Sequence, residues 1–140
     1  ASCDLAYASN EAKFCTPGVH IGLFCSTPMV ALSRNLSRKH AMEMLLTGDE
    51  LTAEKAAFVG LINEVIAREQ LRTFVENVAK KIASKSAVTI ATGKSAFYKQ
   101  SEMPLSSAYK YASSVMVENM LRDDAIEGIN AFIEKRKPNW

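Results

Sequence analysis

The sequence is poor in the residues that mark specialised protein classes. Its three cysteines, Cys3, Cys15 and Cys25, form an odd set with no close pair. That spacing argues against a zinc site or a disulfide scaffold and for free thiols in a reducing compartment. Four prolines and six glycines are too few for a collagenous or low-complexity chain. Charge of one sign is also missing: 17 Lys and Arg against 15 Asp and Glu leave +2, too little to form the extended basic footprint of a nucleic-acid binder. No apolar run approaches the roughly 20 residues of a membrane span. Lys13, Arg34, Arg38 and Lys39 interrupt the early sequence, so no signal-peptide pattern is expected and a soluble intracellular chain is the default. What is present forms a core: 48% of residues are hydrophobic and 23% charged, the balance of an ordinary globular domain or part of one.

Periodicity predicts strands first and helices afterwards. Cys3, Leu5 and Tyr7 alternate with Asp4, Ala6 and Ala8, which predicts a strand already under way at Ala1, and Lys13-Phe14-Cys15 predicts a short second one. Thr16-Pro17-Gly18 breaks regular structure and opens a loop to Ser26. Ser26-Thr27-Pro28 then supplies a hydroxyl cap and a first-turn proline for a helix through Arg34. Ser37 is expected to cap a second helix through Leu46, with Ala41, Met44 and Leu45 facing inward and Thr47-Gly48 as the stop. Leu51-Thr52 predicts the cap of a third helix over 53–59, and 61–66 reads as a buried extended connector.

The remainder reads as a helical array. The sequence predicts a surface helix over 68–84 built on Leu71, Val75, Val78 and Ile82, then a helix over 87–100 with Val88, Ala91, Ser95 and Tyr98 on one face. Leu105, Ala108, Tyr109, Ala112, Val115, Met116 and Met120 form the broadest apolar stripe, which would need a partner surface on an isolated monomer. Asp123 and Asp124 open the last helix, whose apolar face is Ile126, Ile129, Phe132 and Ile133, and Lys135-Arg136-Lys137 is expected to close it.

The residues offer little self-contained chemistry. His20 and His40 stand singly and read as loop or surface histidines, and no cluster has metal-ligand spacing. Lys135-Arg136-Lys137 reads most simply as a solvated helix end, with an anion clamp for ligand phosphates as the runner-up. The segment 16–28 has two readings as well. It is an ordinary capped helix entry, or a turn whose free backbone N–H groups face a carbonyl, water or anion.

A family resemblance joins these pieces. Cys3-Asp4-Leu5-Ala6-Tyr7-Ala8, Lys13-Phe14, Pro17-Gly18, Gly22-Leu23-Phe24-Cys25-Ser26-Thr27-Pro28 and Ala41-Met42-Glu43-Met44-Leu45-Leu46-Thr47-Gly48 follow in the order of the crotonase, or enoyl-CoA hydratase/isomerase, superfamily. The ending Asp123-Asp124, Glu127-Gly128, Ala131-Phe132 and Glu134-Lys135-Arg136-Lys137-Pro138 resembles that family's C-terminus. Phe97-Tyr98-Lys99-Gln100 and the 16–28 segment point to one branch, the third group of enoyl-CoA-hydratase-domain-containing proteins and their bacterial relatives.

The resemblance implies an α/β fold: the C-terminal part of a crotonase-like ββα spiral over 1–66, incomplete at its N-terminus, followed by a helical trimerisation region over 67–140. Earlier spiral turns, with the family's first catalytic glutamate and oxyanion-hole amides, would precede Ala1. The chain by itself is therefore expected to be inactive. In the family two glutamates activate one water for addition to an enoyl-CoA. The second would align with Gly18, which has no group to accept a proton, so Gly18→Glu is expected to raise hydration in the complete protein. Ser26 is implied as a backbone N–H contact to the ligand. Phe132 and Lys135 match an aromatic residue and a lysine that help hold coenzyme A, commonly the one bound by the adjacent subunit, and Met116 stands where some members carry another aromatic. No permanent cofactor and no metal are implied. The implied partners are acyl-CoA and further copies in a homotrimer or dimer of trimers, with neither nucleic acid nor a membrane span. A bacterial protein would be cytoplasmic and a eukaryotic one would lie in the mitochondrial matrix. The rival reading is a non-catalytic acyl-CoA-binding or assembly protein that retains the trimer scaffold.

Overall fold

The computed structural model describes residues 1–140. They form two compact units, Ala1–Val78 and Ala79–Trp140.

Two short strand pairs frame the first unit. β1 (Tyr7–Ser9) runs parallel to β4 (Glu64–Ile66), with Tyr7 opposite Glu64 and Ser9 opposite Ile66, while β2 (Lys13–Phe14) is antiparallel to β3 (Leu51–Thr52). Between them lie a 3-10 turn (Pro17–Ile21), α1 (Ser26–Asn35), α2 (Arg38–Thr47) and, after β3, α3 (Ala53–Phe58). The caps on α2 and α3 are the expected ones. Ser37 Oγ accepts from the His40 N–H at 3.5 Å, and Thr52 Oγ1 accepts from the Lys55 N–H at 3.3 Å. Gly48, at φ 68°, ends α2 in the left-handed region that glycine enters without steric cost.

Several boundaries differ from the expectation. β1 starts at Tyr7 rather than Cys3, and the 16–26 loop contains the 3-10 turn, for which Pro17 presets the backbone angle of the first position. Ser26 lies inside α1 and does not cap it; the cap position is Cys25, which makes no side-chain cap bond. Leu51-Thr52 is a strand as well as a cap, and the connector is extended only over Glu64–Ile66. Leu32, Leu36, Ala41, Met44, Leu45, Ala56, Leu61 and Ile62 pack into one core, with Leu45 only 1% exposed at its centre.

α4 (Arg68–Ala83) leaves the first unit, and α5 (Ala87–Ser101), α6 (Leu105–Met120) and α7 (Asp123–Ile133) make up most of the second. A buried Ser86 ties two of these helix starts together. Its Oγ accepts from the Thr89 N–H at 3.0 Å, capping α5, and donates to the Asp124 carboxylate at 2.5 Å in the first turn of α7.

The inward faces of α5, α6 and α7 are not the large apolar stripes. Thr92, Ala96 and Gln100 on α5, Ala108, Tyr111, Val115 and Asn119 on α6, and Asp124, Ala125, Glu127, Gly128 and Ala131 on α7 are the buried or half-buried positions. Val88, Tyr98, Leu105, Tyr109, Met116, Met120, Ile126, Ile129, Phe132 and Ile133 are exposed within the unit. The basic triplet also lies past the end of α7 rather than in its last turn. No helix is long and apolar enough to cross a membrane.

Candidate functional site

The 16–28 segment is held on α2 by three ties. Buried Thr16 donates its hydroxyl to the Met44 carbonyl at 2.7 Å, and His20 Nε2 lies 3.2 Å from the Gly48 carbonyl. Val19 completes the seat: a Cβ at Gly48 would lie 2.9 Å from its Cγ2 and 2.7 Å from His20 Nε2, so position 48 needs glycine for space as well as for its φ. His20 is thereby a loop histidine engaged with backbone, and His40 Nδ1 pairs with Ser37 Oγ at 3.0 Å on the cap of α2.

Gly18 sits at the closed end of this turn. Its carbonyl accepts from the Leu23 N–H at 2.9 Å and its own N–H points at Cys25 Sγ, 3.3 Å away. A Cβ built on Gly18 would lie 2.7 Å from the Leu23 carbonyl oxygen and 2.8 Å from Cys25 Sγ. The space of a side chain at position 18 is therefore filled by a neighbouring thiol and a backbone oxygen. The expected gain from Gly18→Glu therefore carries a steric cost, because the first side-chain carbon meets a backbone oxygen. The Ser26 N–H donates to the Phe24 carbonyl at 2.7 Å and its hydroxyl to the same carbonyl at 3.3 Å, so that N–H is engaged rather than open to a ligand.

Phe132 and Lys135 lie at the C-terminal end of α7. Phe132 is 84% exposed, with its ring free of the unit's core. Lys135 is the one non-glycine residue with positive φ, 55°. Its N–H donates to the Phe132 carbonyl at 3.3 Å and the Arg136 N–H to the Ala131 carbonyl at 3.0 Å, the paired bonds of a Schellman stop with lysine where glycine is usual. Arg136 then folds back. Its Nη1 and Nη2 meet the Glu127 carboxylate at 2.5 and 2.9 Å, its Nε meets Glu134 at 2.5 Å, and the Asn139 N–H donates to Glu127 at 2.8 Å. Trp140 closes the tail by donating its indole N–H to the Ser84 carbonyl at 3.0 Å, and a Cβ at Gly128 would come within 3.2 Å of its ring. The runner-up anion clamp is reduced accordingly, since Arg136, though exposed, is paired with the carboxylates of Glu127 and Glu134.

Arg136, and after it the Asn139 N–H, hold the Glu127 carboxyl down to about 2 from its ordinary value of 4.5. A depressed acid favours the folded tail fully above about pH 4.5, and that contribution disappears as pH falls through about 2. Trp140 is the sole tryptophan, so its fluorescence reports the tail. Acid titration is expected to show the docked signal holding to about pH 4.5 and declining toward pH 2, and Glu127→Gln is expected to abolish that tail-specific step.

Met116 borders a cleft of about 340 Å³ between α5 and α6, lined also by Gly93, Ala96, Phe97, Ala112 and Asn119. The cleft is apolar apart from a few groups, among them Asn119 Oδ1, which is buried without a hydrogen-bond partner. No group of three or more His, Cys, Asp or Glu side chains is placed to hold a metal ion. Sequence reasoning missed Cys25 and the pair Glu127 and Arg136. The single early sign was the series Glu127-Gly128, Phe132 and Glu134-Lys135-Arg136 falling on one short helix and its end.

Comparison with known proteins agrees with this geometry. Residues 1–140 match the family model described as enoyl-CoA hydratase/isomerase. The chain is 53% identical over 140 residues to the rat (Rattus norvegicus) mitochondrial enoyl-CoA hydratase domain-containing protein 3, covering 100% of this chain and 47% of the relative. The human (Homo sapiens) counterpart is 48% identical, covering 100% of this chain and 46% of the relative. Among solved structures, enoyl-CoA hydratase of Mycobacterium smegmatis superposes with a TM-score of 0.96 at 47% identity, over 99% of this chain and 54% of that one. Human enoyl-CoA hydratase domain-containing protein 3 does so with a TM-score of 0.96 at 47% identity, over 99% and 55%. The chain spans about half the length of the curated relatives it matches. Its helix-rich architecture with short strands is that of the C-terminal portion of the α/β crotonase fold. The chain belongs to the enoyl-CoA hydratase/isomerase, or crotonase, family, in the branch of the domain-containing protein 3 relatives.

Proposed function

We propose that the complete protein binds acyl-CoA thioesters and is of the enoyl-CoA hydratase/isomerase type, without a permanent cofactor. The observation that carries this reading is the end of α7, where Phe132, 84% exposed, and the exposed Lys135 three residues on both lie outside the core. An aromatic face suits adenine and an ammonium suits phosphate. Residues 67–140 then serve as the helical region through which copies associate as a homotrimer or dimer of trimers. The exposed Leu105, Tyr109, Met116 and Met120 supply the apolar surface for it. Phe132 and Lys135 face the coenzyme A held by the adjacent subunit, and Met116 packs as a soft substitute for an aromatic. A eukaryotic protein of this kind resides in the mitochondrial matrix, in line with the mitochondrial vertebrate relatives, and a bacterial one in the cytoplasm.

One observation favours a second reading, a non-catalytic acyl-CoA-binding or assembly protein. Position 18 has neither a carboxylate nor space for one, so hydration by two cooperating carboxylates lacks its second member. Turnover of an enoyl-CoA panel by the complete protein separates the two. Saturable binding with hydration or isomerisation supports the enzyme. Saturable binding with no turnover supports the second reading, and absence of binding overturns the enzyme and leaves only the assembly form of the second.

A further inference from the structure

We propose that Glu127, Arg136 and Trp140 are positioning residues for coenzyme A, forming a C-terminal latch that fixes Lys135 and Phe132 in the conformation that meets the nucleotide end of the ligand. This inference rests on the reading of Phe132 and Lys135 given above.

The backbone supplies the first reason. A lysine at φ 55° is disfavoured relative to glycine, so the conformation persists only where flanking residues enforce it. Enforcement is visible on the C-terminal side. Arg136 is bound to Glu127 through two nitrogens at 2.5 and 2.9 Å, and the Asn139 N–H meets the same carboxylate at 2.8 Å. The chain end is tied separately by the Trp140 indole to the Ser84 carbonyl at 3.0 Å, with Gly128 leaving space for the ring.

The charge arrangement supplies the second reason. Arg136 is occupied by Glu127 and Glu134 and is not available to a phosphate, whereas the Lys135 ammonium beside it pairs with no carboxylate. The two adjacent cations therefore have different roles. Arg136 orders the tail, and the exposed Lys135 is left for an anion. A planar guanidinium gripping a carboxylate at two points fixes direction in a way a lysine cannot.

The test compares coenzyme A with pantetheine, which lacks the nucleotide, by calorimetric titration of the complete protein. Glu127→Gln and Arg136→Gln are expected to weaken coenzyme A about three- to tenfold and to leave pantetheine unchanged, with a red-shifted Trp140 emission. Lys135→Gln should cause a similar loss, and Glu127→Gln combined with Lys135→Gln should add little to it, because both act through one contact. Should the Glu127 and Arg136 variants fold poorly, Trp140→Leu removes the other tie and carries the same expectation for coenzyme A and pantetheine binding. Wild-type affinity for coenzyme A in the Glu127 and Trp140 variants, with Lys135→Gln impaired, overturns the latch and leaves the binding site standing. Equal loss of coenzyme A and pantetheine reduces the latch to general stability and also overturns it. Lys135→Gln binding like wild type overturns the underlying site itself.

Discussion

Gly18→Glu is expected to destabilise the protein by about 1–3 kcal/mol and to leave hydration of a short enoyl-CoA at the wild-type level. From the sequence the opposite follows, since a missing carboxylate invites its return. The structure removes that option at the first side-chain carbon, which would stand 2.7 Å from the Leu23 carbonyl oxygen and 2.8 Å from Cys25 Sγ. The sulfur can swing away, but the carbonyl belongs to the backbone of a turn whose Leu23 N–H is bonded to Gly18 itself. Accommodating any side chain means reopening the turn. Adding Cys25→Ala is expected to recover part of the lost stability, because it relieves one of the two collisions. Thermal melts of the wild type and of the single and double variants, run beside a hydration assay, decide the matter. A single variant that melts like wild type and gains turnover would show that the turn yields readily.

Leu45→Ala is expected to cost about 2–5 kcal/mol, the largest loss of any single truncation in the first unit. Leu45 is the largest side chain that is fully buried, 1% exposed, and it lies on α2. Its removal leaves a void among Leu32, Leu36, Met44 and Leu61 that their fixed backbones fill only in part. The cost reaches the candidate site as well. Thr16 hangs on the Met44 carbonyl and His20 on the Gly48 carbonyl, both at the C-terminal end of α2. A urea melt reads the effect as a shift in midpoint at constant slope. A loss below about 1 kcal/mol would mean that the core repacks around the gap.

Legibility followed the range of each interaction. The caps on α2 and α3 were readable because Ser37 and Thr52 act within one helical turn, and the stop at Gly48 because it depends on one residue's conformational freedom. β3 was not readable, since two residues show no alternation and its identity comes from Lys13 and Phe14 across the pair. In the second unit periodicity found the helices and the apolar stripe of α6, whose large members Leu105, Tyr109, Met116 and Met120 are exposed as expected of an isolated monomer, while Ala108 and Ala131 are buried.

The candidate site was legible as two segments, the 16–28 turn and the basic triplet, and a family likeness then pointed to single positions in or near them. Gly18, Phe132 and Lys135 were marked in that way. What surrounds Gly18 was hidden, because the sulfur that fills its side-chain space comes from Cys25 on the far side of the turn. The basic triplet misled for a related reason. Charge near a helix end suggests a dipole partner, but Lys135 turns left-handed and sends Arg136 back to Glu127.

The most direct test is a structure of the complete protein with an enoyl-CoA bound. The expected result has the adenine ring against Phe132 and a phosphate beside Lys135. The Gly18 N–H remains on Cys25 Sγ, and the turn stays closed by the Leu23 N–H on the Gly18 carbonyl. A ligand bound away from Phe132 and Lys135, or a turn reopened so that the Gly18 N–H leaves Cys25 Sγ and contacts the ligand, would contradict it.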